Sequence, residues 1–206
     1  MSAYIIANNH TTEYQGQLGA YKSKVTATAQ SFGGQYLARG TPIQVLEGQW
    51  LPRQRNVISV WPDAAAIEKF WYSDAYQKEI RPNRVGTSVN DIGLFAGNGA
   101  PPATLKDEVF MLVLAQNVVP VPQMAEYAAR AGEISPKYGA RYLVQGKPQK
   151  VLEGEWLDRM SVMLMMWPSL KDALGFWNSP EYQKIKPLRT SAGNIYDIAL
   201  FAAEKH

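Results

Sequence analysis

The sequence predicts an α+β protein made of two ferredoxin-like (split βαβ) domains packed sheet to sheet within one chain. Three observations lead to this prediction. The sequence contains an internal duplication. Each copy has the predicted order strand, helix, strand pair, strand, helix, strand. In a domain of this order the helices cover only one face of the sheet. Because an uncovered apolar sheet face needs a partner, the second copy is expected to cover the first.

The duplication is read from matches at an almost constant spacing. Residues 34–97 resemble residues 140–203, and most matched pairs, such as Glu47 and Glu153, lie 106 positions apart. Upstream, residues 5–9 are aligned with residues 113–117. The segment 98–106 contains Gly, Asn and Pro without periodicity, which is typical of a linker. The predicted domains are therefore residues 1–97 and residues 107–206.

Each element of a copy has its own local signal. In the first copy, apolar or alternating runs predict strands, helical spacing predicts helices, and Gly40-Thr41-Pro42 predicts a hairpin turn. Pro62 and Pro168 end the central strands, and the side chains that follow can cap helices by accepting backbone N–H groups. The predicted strands are Tyr4–Asn8, Gln35–Arg39, Ile43–Leu46, Asn56–Trp61 and Asp91–Ala96, the first helix lies within 13–31, and the predicted caps are Asp63, Ser73, Ser169 and Ser179.

Composition excludes several classes of site. The 206 residues include no cysteine and only two histidines, His10 and His206, which argues against disulfides, thiolate metal sites and multi-histidine sites. No metal and no cofactor are expected. The 21 basic and 18 acidic residues are interspersed, so no nucleic-acid partner is expected. No apolar run is long enough for a membrane span and no signal segment is evident, so a cytoplasmic location is expected.

The repeated motifs carry a family resemblance. Gly-Gly-Gln-Tyr-Leu-Ala-Arg-Gly, Val-Leu-Glu-Gly-x-Trp, a strand ending in Trp-Pro, and Phe-Trp-x-Ser-x-x-Tyr-Gln-Lys with a downstream Arg resemble the uncharacterised family called domain of unknown function 1330. That resemblance implies a dimeric α+β barrel, a fold whose members include cofactor-free monooxygenases, isomerases, cyclases, stress-response proteins and haem enzymes. Gln145 stands where the first copy has Arg39, and Asn178 where it has Tyr72, so equal activity of the halves is not expected.

Two charged residues that recur in each copy are the first candidate catalytic groups. Glu47 and Glu153 lie beside an indole in the Leu-Glu-Gly-x-Trp turn, where burial can raise a carboxyl pKa and make an acid or base. Alternatively, each glutamate fixes its turn. Arg84 and Arg189 can bind an anionic substrate group, or form a salt bridge with Asp91, Asp197 or the glutamates.

Several further residues are candidates for substrate binding. Arg39 is expected to point to the same face as Leu37, opposite Tyr36. Tyrosine side chains can donate a hydrogen bond to a ligand, and aromatic side chains in general can form pocket walls or pack in the core. The methionine cluster is expected to form an adaptable part of the core. These aromatic candidates are Tyr76, Tyr182, Trp71, Trp177, Phe70 and Phe176, and the methionines are Met160, Met163, Met165 and Met166.

The end of the first strand supplies the remaining candidates. His10 is either an ordinary surface residue or, if only the first copy is active, the first candidate base. A haem ligand would have to be His10 as well. Asn9 and Asn117, taken as matching strand ends, can orient a carbonyl or cap a turn.

Two functions remain open at this stage. The first is a cofactor-independent isomerase, cyclase, lyase or monooxygenase acting on a small carbonyl-containing or aromatic metabolite. The second is a small-molecule binding or stress-response protein that uses the same pocket without turnover. Under either function the expected partner is a small molecule. A homodimer of the tandem chain is compatible with both functions.

Overall fold

The computed structural model describes residues 1–11, 18–49, 51, 54–86, 88–100, 102, 105–116 and 120–204. The strands are β1 (Ala3–Thr11), β2 (Gln35–Gly40), β3 (Gln44–Glu47), β4 (Gln54–Trp61), β5 (Ser88–Ala96), β6 (Val109–Gln116), β7 (Arg141–Gly146), β8 (Lys150–Glu153), β9 (Met160–Trp167) and β10 (Ile195–Ala202). The α-helices are α1 (Leu18–Ser31), α2 (Ala64–Trp71), α3 (Pro122–Ile134), α4 (Leu170–Asn178) and α5 (Pro180–Thr190). Within these ranges, no helix has the length and apolar character needed to cross a membrane.

The strands form two five-stranded antiparallel sheets. One sheet has the order β2-β4-β1-β5-β8 and the other the order β3-β10-β6-β9-β7. Four strands of each sheet come from one repeat and the fifth comes from the other repeat. The two repeats are therefore joined by reciprocal strand exchange as well as by face-to-face packing.

The predicted β2–β3 hairpin is wrong. The short strand β3 pairs with β10 of the second repeat, and β8 pairs with β5 of the first. Just before these strands, the Ile43 N–H donates to Leu200 O, and the Gln149 N–H donates to Leu94 O, both at 2.8 Å. The turn after β2 thus sends the chain across to the other sheet, because the open edges of β10 and β5 accept a strand there.

Apolar side chains occupy three layers. Between the sheets lies the barrel interior, which includes Leu37, Ile58, Phe95, Leu164 and Phe201. On the outer face of each sheet, the helices of the same repeat cover a second layer, centred on Trp61 and Phe70 in one repeat and on Trp167 and Phe176 in the other. The prediction of two sheets that face each other with helices outside is confirmed.

The first strands of the repeats match in a different register from the one predicted. Ala3 pairs with Trp61 in β1–β4, and Val109 pairs with Trp167 in β6–β9, so the spacing of 106 extends to the first strand. The alignment of residues 5–9 with 113–117 is therefore wrong by two positions. A two-residue shift keeps the same sheet face, which is why the apolar pattern could not reveal it.

The last helical segment accommodates a one-residue difference between the copies. In the second repeat it is α5, a regular α-helix, whereas the first repeat has a π-helical turn, Ala75–Ile80, followed by a 3₁₀ turn, Arg81–Asn83. A π-helical turn absorbs an inserted residue without displacing the next part of the chain. Arg84 thereby reaches the Tyr76 hydroxyl from eight residues away, as Arg189 reaches Tyr182 from seven.

The predicted helix caps are confirmed. Asp63 Oδ1 accepts the Ala66 N–H at 2.7 Å, and Ser169 Oγ accepts the Asp172 N–H at 3.2 Å. Ser73 and Ser179 accept N–H groups from Tyr76 and Tyr182. These two serines start the segments that carry the tyrosines and arginines of the candidate site.

Candidate functional site

Each repeat has a cavity between the outer face of its sheet and its helices. The cavity of the second repeat has a volume of about 210 Å³, and that of the first repeat about 100 Å³. Both are lined by five equivalent aromatic side chains and one arginine. The equivalent pairs are Tyr21 and Tyr127, Tyr36 and Tyr142, Phe70 and Phe176, Trp71 and Trp177, Tyr76 and Tyr182, and Arg84 and Arg189.

An arginine lies at the centre of each aromatic set. The Arg189 guanidinium lies 4.5 Å from the centroid of the Tyr196 ring and 5.7 Å from that of Trp177. Arg84 lies 5.8 Å from the Trp71 centroid. Both arginine side chains are almost fully buried, so the aromatic faces replace part of the lost hydration of the cation.

Each buried arginine is paired with a glutamate of the other repeat. Arg189 donates to the two carboxylate oxygens of Glu47 at 2.6 and 2.9 Å, and Arg84 donates to those of Glu153 at 2.7 and 2.8 Å. A second cation supports each pair, Lys186 on Glu47 at 3.5 Å and Arg81 on Glu153 at 3.2 Å. Strand exchange causes this crossing, because β3 and β8 each end with their glutamate against the other sheet.

The glutamates do not have the raised pKa predicted for an acid–base residue. Burial acts to raise the pKa of Glu47, but the hydrogen bonds and charge of Arg189, helped by Lys186, outweigh it and lower the pKa below its ordinary value. The same balance, with Arg84 and Arg81, lowers the pKa of Glu153. Each carboxylate therefore stays ionised near neutral pH and holds its arginine in place.

The rest of the Leu-Glu-Gly-x-Trp motif also joins the repeats. Asp91 Oδ1 accepts the N–H groups of Glu155 and Trp156 at 3.1 and 3.0 Å, which closes the turn after β8. Gly154 has a φ of +78°, and a Cβ there would overlap Asp91. The motif is thus explained by contact between repeats. Of the salt-bridge partners considered for Arg84 and Arg189, the glutamates are the ones found.

A chain of hydroxyl groups leads from Arg189 into the larger cavity. Arg189 Nε donates to the Tyr182 hydroxyl at 3.4 Å, and the Tyr182 and Tyr127 hydroxyls lie 3.2 Å apart. Burial raises the pKa of Tyr127, so its phenol stays protonated. The Tyr127 and Tyr182 hydroxyls carry two hydrogens, and the hydrogen bond between them uses one. The other hydrogen can be donated to a ligand.

The two cavities differ in the polarity of their sheet-side walls. The first repeat presents Asn9, Ser59 and Asn90, whose equivalents in the second repeat are Ala115, Met165 and Tyr196. Met163 and Met165 line the larger cavity, while Met160 and Met166 lie in the barrel interior. All four methionines thus belong to apolar packing layers, as predicted, and alternation along β9 decides which layer each one enters.

Five lining tyrosines were not among the predicted site residues. Tyr196, on β10, lines the larger cavity, and the other four form two equivalent pairs. Tyr21 and Tyr127 lie on the first helix of each repeat, and Tyr36 and Tyr142 on the second strand. The two tyrosines of each pair are 106 positions apart, as in the recognised motifs. A repeat comparison that included the first helix would therefore have revealed Tyr21 and Tyr127 as an equivalent pair.

Arg39 lies on the opposite face from the one predicted. A register shift in β2 between Tyr36 and Ala38 places both Leu37 and Ala38 in the barrel interior. This bulge brings Arg39 to the outer face, where its guanidinium lies 4.3 Å from the centroid of the Tyr36 ring. Arg39 forms an ion pair with Glu204, whereas its equivalent, Gln145, accepts a hydrogen bond from Asn98 at 3.1 Å.

The remaining predicted residues are only partly covered by the structure. Asn9 lines the smaller cavity, and Ala115 is its equivalent because each is paired at the same level of the sheet. Asn117 and His206 lie outside the described residues, and His10 is described only as part of β1.

Solved structures share the fold across nearly the whole chain at low sequence identity. A "putative monooxygenase" from Fusobacterium nucleatum aligns with a TM-score of 0.60 and 11% identity, covering 99% of this chain and 94% of that one. A "putative monooxygenase" from Lactobacillus acidophilus aligns at 0.56 and 8%, covering 98% of each chain. A "putative chlorite dismutase" aligns at 0.54 and 9%, covering 99% and 95%. These likenesses establish a dimeric α+β barrel fold.

A search of curated proteins gives no significant match. The model of the family described as Domain of unknown function (DUF1330) matches twice, over residues 2–98 and 109–203. Those two matches contain the cross-repeat Glu–Arg pairs and both aromatic cavities. The chain is therefore a tandem member of the DUF1330 family.

Proposed function

We propose that the chain binds a small, uncharged aromatic ketone, or a molecule of similar chemistry, in the cavity of its second repeat. The observation that carries this proposal is the combination of an apolar cavity wall with a spare phenolic hydrogen at its Arg189 end. From the sequence candidates, Arg189, Tyr182 and Trp177 are assigned to this site, and Tyr127 joins them. Glu47 and Glu153 are assigned to positioning the arginines.

The size and lining of the cavity suit an aromatic ligand. A closed apolar cavity of about 150 Å³ in another protein takes up benzene. A cavity of about 210 Å³ therefore has room for a substituted or bicyclic ring. Met111, Met163 and Met165 supply adaptable sulfur-containing walls, and Trp177 supplies a flat one.

The charges around the cavity favour a neutral ligand. Of the described residues that line it, Arg189 is the cation, and both of its terminal nitrogens already donate to Glu47. A ligand carboxylate would have to compete with that buried pair. A ketone oxygen needs only the hydrogen left over by Tyr127 and Tyr182, so it can bind without breaking any protein contact.

Catalytic turnover of the bound ketone is the second candidate function. The hydrogen-bonded chain from Arg189 through Tyr182 to Tyr127 is the observation that favours it. Arg189 polarises Tyr182, which can thus stabilise negative charge that develops on a ketone oxygen during enolisation. Against this, the described residues that line the cavity include neither a histidine nor a carboxylate to act as base. Binding therefore ranks ahead of cofactor-independent isomerisation or oxygenation.

The test uses 1-tetralone as the neutral aromatic ketone and 1-naphthoate as the anionic comparison. Titration calorimetry should give one tetralone site per chain and weaker binding of naphthoate. The double variant Tyr127→Phe/Tyr182→Phe should weaken tetralone binding about fivefold, since one hydrogen bond is worth about 1 kcal/mol. The matched variant Tyr21→Phe/Tyr76→Phe changes the first repeat and should leave the affinity unchanged.

Tighter binding of naphthoate than of tetralone would contradict the proposal, as would equal losses in the two double variants. Turnover is examined with the same ketone in D₂O. Deuterium exchange at the carbon next to the carbonyl, above the rate in buffer, would move the assignment to the enzyme candidate. Oxygen consumption is followed in parallel, because structures of the same fold carry the name monooxygenase.

A further inference from the structure

The walls of the two cavities carry different side chains where the second strand of each repeat passes the first helix. In the second repeat, Gln145 and Gly146 of β7 line the cavity. In the first repeat, the equivalent Arg39 spans from β2 to α1, where its Nη1 donates to Thr26 Oγ1 at 2.9 Å. A side chain thus bridges β2 and α1 at the position where Gln145 and Gly146 line the cavity of the other repeat.

Three contacts hold that bridge. Besides Thr26, Arg39 pairs with the Glu204 carboxylate and stacks on the Tyr36 ring. Tyr36 is itself a wall of the smaller cavity, and Thr26 directly follows another wall residue, Val25. We call Arg39, Thr26 and Glu204 the Arg39 latch, because one guanidinium connects both walls to the C-terminal segment.

The second repeat has lost every member of the latch. Gln145 replaces Arg39, Gly132 replaces Thr26, and Asn98 replaces Glu204, each at the constant spacing of 106. Gly132 faces open space, with no heavy atom within 4 Å of a Cβ built there. The backbone contacts are nevertheless retained, since the Asn98 and Glu204 N–H groups donate to Leu143 and Leu37. The difference is therefore confined to side chains.

Wall bulk by itself does not explain the smaller cavity: Asn9 and Val25 are larger than Ala115 and Ala131, but three other wall residues are smaller than their equivalents. Val57, Ser59 and Asn90 of the first repeat are each smaller than their equivalents Met163, Met165 and Tyr196. Even so, the first cavity has about 100 Å³ and the second about 210 Å³. Tyr36 is only 8% exposed, whereas its equivalent Tyr142 is half-buried. The bridge bears on both differences, because Arg39 covers the Tyr36 ring and ties β2 to α1.

We propose that the Arg39 latch keeps the first cavity small, and that its release enlarges this cavity into a second binding site for a small, uncharged polar molecule. The polar class follows from Asn9 and Ser59, which stand where the other cavity has Ala115 and Met165. Asn90 also lines this cavity, but its amide already bonds to Ser88 and Glu153. The assignment of the second repeat as the ligand site rests on the function proposed above, but the latch itself does not.

The absence of cysteine allows a test that needs no ligand. Ala7→Cys places a single thiol on the wall of the first cavity, and Val113→Cys places one at the equivalent point of the second. The rate of modification by methyl methanethiosulfonate is measured on the folded full-length chain. The thiol at 113 should react faster than the thiol at 7.

Adding Arg39→Gln or Glu204→Gln should speed modification of the thiol at 7 about five- to tenfold, the effect expected for releasing a partly exposed ion pair with additional contacts. Installing Gln145→Arg, Gly132→Thr and Asn98→Glu together should slow modification at 113. Ala199→Cys, in the barrel interior, is the control and should stay unreactive, which separates opening of the cavity from general unfolding.

Unchanged rates at position 7 in both latch variants would overturn the proposal, as would equal acceleration at position 199. Glu204→Gln is included because it leaves the buried packing intact if Arg39→Gln fails to fold. Failure of tetralone to bind would refute the proposed function without altering any of these rates. Enlargement of the first cavity is then checked by titration with small amides, which should bind the Arg39→Gln chain more tightly than the unmodified one.

Discussion

The Glu47 carboxylate, on a strand of the first repeat, accepts two hydrogen bonds from Arg189, on a helix of the second repeat. Arg84 and Glu153 make the same contact in the opposite direction. The two arginines that line the cavities are thus neutralised by the repeat that does not contain the cavity. Each site is complete only when both repeats are folded together, which links stability to ligand binding.

Removing one carboxylate should destabilise the fold. In Glu47→Gln, the Arg189 guanidinium, which is 1% exposed, is left charged without its partner. We expect the free energy of unfolding in urea to fall by about 2 to 3 kcal/mol, less than for a fully buried pair because Glu47 is partly exposed. Glu68→Gln, which breaks the exposed pair with Lys150, is the control and should change little. Equal losses in the two variants would refute a special role for Glu47.

The same pairs should make stability sensitive to acid. The pKa values of Glu47 and Glu153 are lower in the folded chain than their ordinary value of 4.5. Their contribution is therefore complete above pH 4.5 and is lost as the pH falls through the folded-state values. Urea unfolding from neutral pH down to about pH 3 should show a steep loss in the unmodified chain and a shallower one in Glu47→Gln/Glu153→Gln. Parallel curves would contradict this assignment.

Gly154 should tolerate no side chain. Its φ of +78° disfavours other residues, and an added Cβ would collide with Asp91 of the other repeat. We expect Gly154→Ala to cost at least about 2 kcal/mol in thermal or urea unfolding. Gly132→Ala, in the exposed part of α3, should instead stabilise by about 0.5 to 1 kcal/mol. A neutral result at position 154 would mean that the turn rearranges.

Two asparagines in the barrel interior should be replaceable with a gain in stability. Asn8 and Asn56 face each other across β1 and β4, both almost fully buried, and their amides have no hydrogen-bond partner among the described residues. The second repeat has Leu114 and Val162 there. Asn8→Leu/Asn56→Val should raise the free energy of unfolding by about 1 to 3 kcal/mol. The reverse change, Leu114→Asn, should lower it, and a loss in the first variant would indicate that the asparagines have an undetected partner.

Local patterns predicted the elements and their duplication correctly. Helix caps such as Asp63 and Ser179 depend on a few neighbouring residues, and the spacing of 106 ties the two copies together without any knowledge of contacts. The aromatic and arginine candidates were found for the same reason, because they recur in both copies. Face-to-face packing followed from the need to cover an apolar sheet face.

Partners between repeats could not be predicted in the same way. A four-residue strand such as β3 has no local feature that selects β10 over β2 as its neighbour, and that choice decided which arginine Glu47 meets. The direction of its pKa shift then depended on whether burial or the arginine dominated, which is a matter of distances. A bulge at Tyr36–Ala38 reversed the expected face of Arg39. Which elements form and which residues recur depends on local spacing, and so could be predicted. Which charges meet and how large each cavity is depend on contacts between residues far apart in the chain, and so emerge only from the folded structure.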